Sequence, residues 1–218
     1  MPEKTQHYPI KPSILLFVSL FWAAASIRVR AQSDSTHSDP KWVLDFGGSI
    51  GLFAPFRQVD DKRFLIGVSS TTSVQFNYKK HLFFRLEVGD VSAGFRYKAV
   101  AGPVNSDINS TTNSINVGLG LGYQYKVKKW QPFVYAGSGP SLVFVPATVY
   151  DVSTNTLDYK TNSAIKMHWN AGAGVNYYLS KSVILLLEAK TFTVTNLPKN
   201  PSPNLSGISV LVNIKITL

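Results

Sequence analysis

The chain of 218 residues contains no cysteine. A disulfide framework, a thiolate metal centre and a lipid-modified N-terminal cysteine are all excluded on that ground. Long apolar runs are also missing. Beyond residue 26 the longest is "VILLL" (183–187), far short of the 18 or more residues that read as a membrane-spanning helix. Acidic residues are scarce, 12 against 22 basic. The four histidines, His7, His37, His81 and His168, are scattered without ligand spacing, so no metal or other cofactor is expected. "GLGLG" (118–122) and "GSGPS" (137–141) open no helix and do not read as phosphate loops.

The N-terminus supplies the first positive reading. Lys4 and Lys11 precede the 13-residue apolar run "ILLFVSLFWAAAS" (14–26), followed by Val29 and Ala31 at −3 and −1 of a cleavage site before Gln32. The run is too short to span a bilayer and suits a signal peptide, here 1–31. Without it the 22 basic and 12 acidic residues fall to 18 and 11, a net charge of +7. An exported basic chain is expected to meet a polyanionic membrane surface and no nucleic acid. Residues 32–40, "QSDSTHSDP", are polar and aperiodic and read as a flexible arm; 41–218 form the domain.

In that domain the dominant signal is a period of two, which is a strand signal. In "NSINVGLGLGYQYKV" (113–127), Ile115, Val117, Leu119, Leu121, Tyr123, Tyr125 and Val127 alternate with Ser, Asn, Gly, Gln and Lys. Similar segments cover about 41–54, 68–79, 82–97, 131–148, 164–179, 182–194 and 207–218. Near Asp90 the alternation slips, suggesting a bulge, and "AGSGP" (136–140) breaks the fifth segment. Three connections are tight, "KKH" (79–81), "KK" (128–129) and "SKS" (180–182). Four are long and rich in Asn, Ser, Thr, Pro and Asp: 55–67, 98–112, 149–163 and 195–206.

Eight strands with an apolar face and a Gly/polar face predict an all-β fold: an eight-stranded antiparallel up-and-down transmembrane β-barrel. The bilayer requires closure, since an open edge leaves backbone groups without partners. Glycine suits the narrow interior of a barrel of this size. Trp42, Tyr78, Tyr125, Trp130, Phe133 and Tyr177, near the short turns, are expected to form an interfacial belt. A soluble lipocalin-like carrier, with the apolar face inward, shows the same alternation. It would place the glycines and charges together on a wet outer face, which does not favour so much glycine.

The signal peptide ending at Ala31–Gln32, the eight-strand meander, "GLGLGYQY" and the alternating last strand resemble the small outer-membrane β-barrel domain family. That family includes PorT-like proteins and is akin to the OmpA/OmpX barrels. The resemblance covers about 41–218 and rests on pattern, without signature residues. It implies an integral, non-catalytic protein of the outer membrane with a structural or interaction role through extracellular loops. Its implied partners are outer-membrane lipid and lipopolysaccharide, and the barrel-assembly machinery during insertion. An accessory role in a secretion or surface-assembly apparatus and a small-solute channel are the alternatives. Many such barrels end in an aromatic residue, whereas this chain ends in Leu218.

Parity points Asp45, Arg85, Glu87, Lys166, Glu188, Lys190 and Lys215 inward, as a lumen charge network. Buried charges are tolerated when paired, so a rigidifying set of ion pairs is expected. A lipid A deacylase, also an eight-stranded barrel, would need a Ser two residues after its His. Here His168 is followed at that place by Asn170, and Glu188 has no nucleophile to serve. The same parity turns His168 away from lipid.

Overall fold

The computed structural model describes residues 42–56, 63–79, 81–101, 104–151, 153, 156–194 and 205–218. The signal-peptide and arm expectations (1–31 and 32–40) lie outside them. Among these residues eight strands follow one another: β1 (Trp42–Pro55), β2 (Arg63–Tyr78), β3 (Leu82–Ala101), β4 (Val104–Gln124), β5 (Trp130–Asp151), β6 (Thr156–Tyr178), β7 (Val183–Val194) and β8 (Gly207–Thr217). Each pairs antiparallel with its neighbours in sequence, and β1 with β8 closes the barrel, from Asp45↔Thr217 to Pro55↔Gly207.

The strict alternation explains which side faces out. Leu52, Leu119, Leu121, Ile165, Leu187 and Val210 are exposed, while Ser49, Asn116, Asn170, Glu188 and Ser209 are buried. The apolar face therefore surrounds the barrel, and its interior is polar, the reverse of a soluble lipocalin-like barrel. Near the short turns, Trp42 packs on Tyr78 and Trp130 on Tyr177, each pair 4.7 Å between ring centroids. Each is also a direct cross-strand pair. Phe133 departs from the expected belt: it is buried inside the barrel. It shares a face with Gln131 and Tyr135, opposite Trp130 and Val134.

Two local expectations are corrected. No bulge lies at Asp90, because β3 and β4 pair without interruption from Leu82↔Tyr123 to Ala101↔Val104. Parity holds through Arg85, Glu87, Val91 and Ala93; only the chemistry of the inner face changes, from charged to apolar. The irregularity is on β2, between Leu65 and Val68. "AGSGP" does not break β5, which pairs with β6 throughout. Only the ladder to β4 lapses, at Gly139 and Pro140, between Leu119↔Ser138 and Asn116↔Ser141. Proline has no N–H to give there.

Two expected long loops, 98–112 and 149–163, are largely strand. β3 and β4 stay paired up to Ala101↔Val104, and β5 and β6 up to Asp151↔Thr156. Antiparallel pairing satisfies these backbones without any apolar face, so Ser, Thr and Asn alone did not mark a loop. β4 pairs with β5 only as far as Asn113↔Phe144, and β6 with β7 only as far as His168↔Val194. Two ribbons, β3–β4 and β5–β6, thus continue beyond the closed part of the barrel.

Candidate functional site: the closed lumen

The interior is built on pairs of glycine and aromatic residues. Phe83 stands opposite Gly122 across β3–β4, and Tyr135 and Phe133 stand opposite Gly172 and Gly174 across β5–β6. Each ring lies where a side chain on the opposite glycine would go. A Cβ at Gly122 would come within 2.1 Å of Phe83, one at Gly172 within 2.4 Å of Tyr135, and one at Gly174 within 2.7 Å of Phe133. The three rings and Leu186 form an apolar cluster in the lumen. Towards the long-loop end Phe53, Val91, Val143, Phe192, Val194 and Leu205 form a second.

The charges lie beside the rings. Arg85 Nη1 donates to Glu188 Oε2 at 3.1 Å, and Lys190 Nζ to Glu87 Oε1 at 2.7 Å. The Arg85 guanidinium also sits 4.4 Å from the centroid of Tyr135, whose hydroxyl donates to Glu188 Oε1. Asn170 Nδ2 donates to Glu87 Oε1 at 2.5 Å. Both ion pairs span the lumen from β3 to β7, tying strands that are not neighbours in the sheet.

Lys215 is only 1% exposed and makes no ion pair among the described residues. Its Nζ donates to Gln75 Oε1 at 2.9 Å and to Asn176 Oδ1 at 3.5 Å, and lies 5.4 Å from the Phe133 ring. Gln75 Oε1 also accepts from Arg85 Nη2 at 3.3 Å. Through its own amide, Gln75 donates to Asn77 Oδ1 at 2.7 Å, and Asn77 Nδ2 donates to Asp45 Oδ2 at 2.8 Å. Two amides thus connect the cations to Asp45, which also accepts from Thr217 Oγ1 at 2.8 Å. Directed hydrogen bonds of this kind let charged groups persist away from water.

Six of the seven residues assigned to the lumen by parity therefore lie in one connected interior, in two ion-paired sets and one amide-linked set. Lys166 shares their face but is half-buried, beyond the point where β6–β7 pairing ends, and joins no ion pair with a described residue. The sequence reading missed Gln75, Asn77, Tyr135 and Asn170. Their parity was legible, but hydrogen bonding between uncharged amides leaves no mark in composition. Facing glycines at 172 and 174 were the available signal for the inward rings of β5.

What this arrangement does physically is fill the barrel. Inward side chains along its length are buried, including Gln75, Arg85, Leu186, Asn213 and Lys215. A cavity of about 10 Å³ beside Glu87, His168, Lys190 and Ser209 has room for about one water molecule. His168 is buried there against Phe192, at 5.4 Å between ring centroids, facing the lumen. Among the described residues no group of three or more His, Asp or Glu side chains is placed to hold a metal ion.

A family model for the outer membrane protein beta-barrel domain matches residues 17–213. Among solved structures, the barrel is similar to Neisserial surface protein A, with a TM-score of 0.52 and 12% identity over 83% of this chain and 99% of that one. It is similar to the outer membrane protein OprG from Pseudomonas aeruginosa, with a TM-score of 0.54 and 9% identity over 85% and 99% of the two chains. A major outer membrane protein from Thermus thermophilus gives a TM-score of 0.54 and 12% identity over 84% of this chain and 100% of that one. At these identities the likeness is one of fold. No curated protein matches the chain.

Proposed function

The chain belongs to the outer membrane protein beta-barrel domain family, and from that premise we propose that it is a non-catalytic, non-conducting barrel acting through its long-loop end. It is an integral barrel of the outer membrane. The observation that carries the proposal is the pair of strand ribbons, β3–β4 and β5–β6, rising past the closed barrel above a filled lumen. A filled lumen argues against solute passage. Rigid ribbons on a rigid barrel offer a contact surface whose shape is held by backbone hydrogen bonds. In this reading the short turns face the periplasm and the ribbons face out.

Shortening a ribbon tests it. A chain in which residues 98–107 are replaced by a two-residue turn should still insert and still run differently before and after boiling on a gel. It should nevertheless reproduce whatever defect deletion of the whole gene causes. Full complementation by the shortened chain would overturn the proposal. So would step conductance from the wild-type barrel in a planar bilayer. Orientation is read separately: on intact cells a maleimide should label Asn109→Cys and not Lys129→Cys.

A further inference from the structure

The three tight turns carry charge of one sign, which the filled lumen does not explain. Lys79, Lys126, Lys128, Lys129 and Lys181 all lie in or beside the three tight turns, and all are exposed. The turn sequences 79–81, 125–129 and 179–182 contain no Asp or Glu. None of the five lysines forms an ion pair among the described residues. The nearest buried acid, Asp45, is engaged by Asn77 and Thr217.

Two features tie these charges to membrane depth. Lys79 Nζ lies 5.2 Å from the centroid of Tyr78, which packs on Trp42 in the aromatic belt. His81, in the same turn, stacks on Tyr123 at 5.8 Å and on Tyr125 at 5.9 Å between ring centroids. An aromatic belt marks the headgroup level, and lysine stems next to it hold their charge among the headgroups. Lys126 Nζ sits 3.7 Å from the Tyr178 centroid. Backbone geometry adds a second observation. Lys79 and Lys128 occupy left-handed positions, with φ of 46° and 56°. Glycine or asparagine fits there with less strain, yet lysine stands at both.

We propose that the lysines of the three short turns form a collar that binds anionic phospholipid headgroups of the leaflet they face. It rests on the orientation proposed above, which makes that leaflet the periplasmic one. Lysine binds phosphate as a mobile point charge, without the fixed fork of arginine, and so suits headgroups that exchange in a fluid bilayer. The belt places the charges at lipid depth. A soluble polyanion such as the cell wall would require them to stand clear of the membrane.

Spin-labelled lipids provide the test. The purified barrel, in phosphatidylcholine bilayers at low salt, should immobilise spin-labelled phosphatidylglycerol over spin-labelled phosphatidylcholine by about fivefold or more, as expected for even one lysine near the surface. High salt should bring the preference close to parity. A variant with all five lysines changed to glutamine, checked for folding by its shift on boiling, should behave at low salt as the wild type does at high salt. No preference in the wild type would overturn the proposal, as would a preference that survives in the variant. Lysine-dependent binding to isolated peptidoglycan without lipid preference would also overturn it and assign the collar to the wall. If instead Lys129→Cys is labelled on intact cells while the lipid preference stands, the orientation fails and the headgroup site remains.

Discussion

Tyr135 stands directly opposite Gly172 across the β5–β6 ladder, and its ring occupies the volume that a side chain at 172 would need. The same relation joins Phe83 to Gly122 and Phe133 to Gly174. The glycines of this barrel are therefore not interchangeable filler. Those opposite a ring are required by that ring, and the rings in turn cover the guanidinium of Arg85.

Gly120 and Gly122, two residues apart on one strand face, should respond differently to the same substitution. At Gly122 a Cβ would lie 2.1 Å from Phe83 and 2.6 Å from the Val134 carbonyl oxygen. At Gly120 the nearest neighbours are the Ala136 carbonyl oxygen at 3.3 Å and Tyr135 at 3.4 Å, a gap that closes with small shifts. Gly122→Ala should lower stability by about 1–3 kcal/mol, the usual cost of overpacking, and Gly120→Ala by less. Urea unfolding in lipid vesicles, followed by tryptophan fluorescence, measures both. Equal losses would mean that the Phe83 ring does not sit over Gly122.

Arg85 and Glu188 are each about 3% exposed and bonded to each other, so removing one strands the other. Arg85→Met leaves Glu188 with the Tyr135 hydroxyl but no cation bonded to it. A loss of about 3–5 kcal/mol is expected. The double variant Arg85→Met/Glu188→Gln removes the stranded charge and keeps an acceptor for Tyr135. It should recover most of the loss. A double variant as unstable as Arg85→Met alone would show that the loss comes from the missing guanidinium, with its contacts to Gln75 and the Tyr135 ring, and not from a stranded Glu188.

Strand number, strand faces and the positions of the tight turns were legible in the sequence because alternation is a local signal. Leu119 and Gly120 reveal their faces without any partner. Height along the barrel is not local. Parity put Lys166 and Lys190 on the same inner face, yet only Lys190 reaches a carboxylate, because Lys166 lies above the level where β7 meets β6. The ribbons were illegible for a related reason. Residues 104–112 have no apolar side, since they leave the lipid, and the backbone pairing that makes them a strand is invisible in side-chain chemistry. Phe133 was misplaced by its type: aromatics near a turn suggest a belt, and only the run Trp130–Gln131–Pro132–Phe133 counted by twos, against Gly174 across the ladder, sends it inward.

With Leu119 placed outward and 52% exposed, an arginine there separates lipid from water as the barrel's surroundings. In water the new charge would be solvated and nearly neutral for stability. In lipid its cost depends on depth. Leu119 lies five residues above the end of β4 at Gln124. At ~3.3 Å per residue and a tilt of about 40°, that is roughly 12 Å from the strand end, near the middle of an apolar band about 25 Å tall. Leu119→Arg should therefore cost about 2–4 kcal/mol. Val127 is similarly exposed but lies in the turn beyond β4, where its backbone pairs with Trp130. At that interface Val127→Arg should cost only about 0–1 kcal/mol. Unfolding free energies of the two variants in vesicles test the gradient. Equal and small effects would mean that the apolar face does not meet lipid. Equal and large effects would place the short turns inside the hydrocarbon, with the belt tyrosines wrongly assigned to its edge.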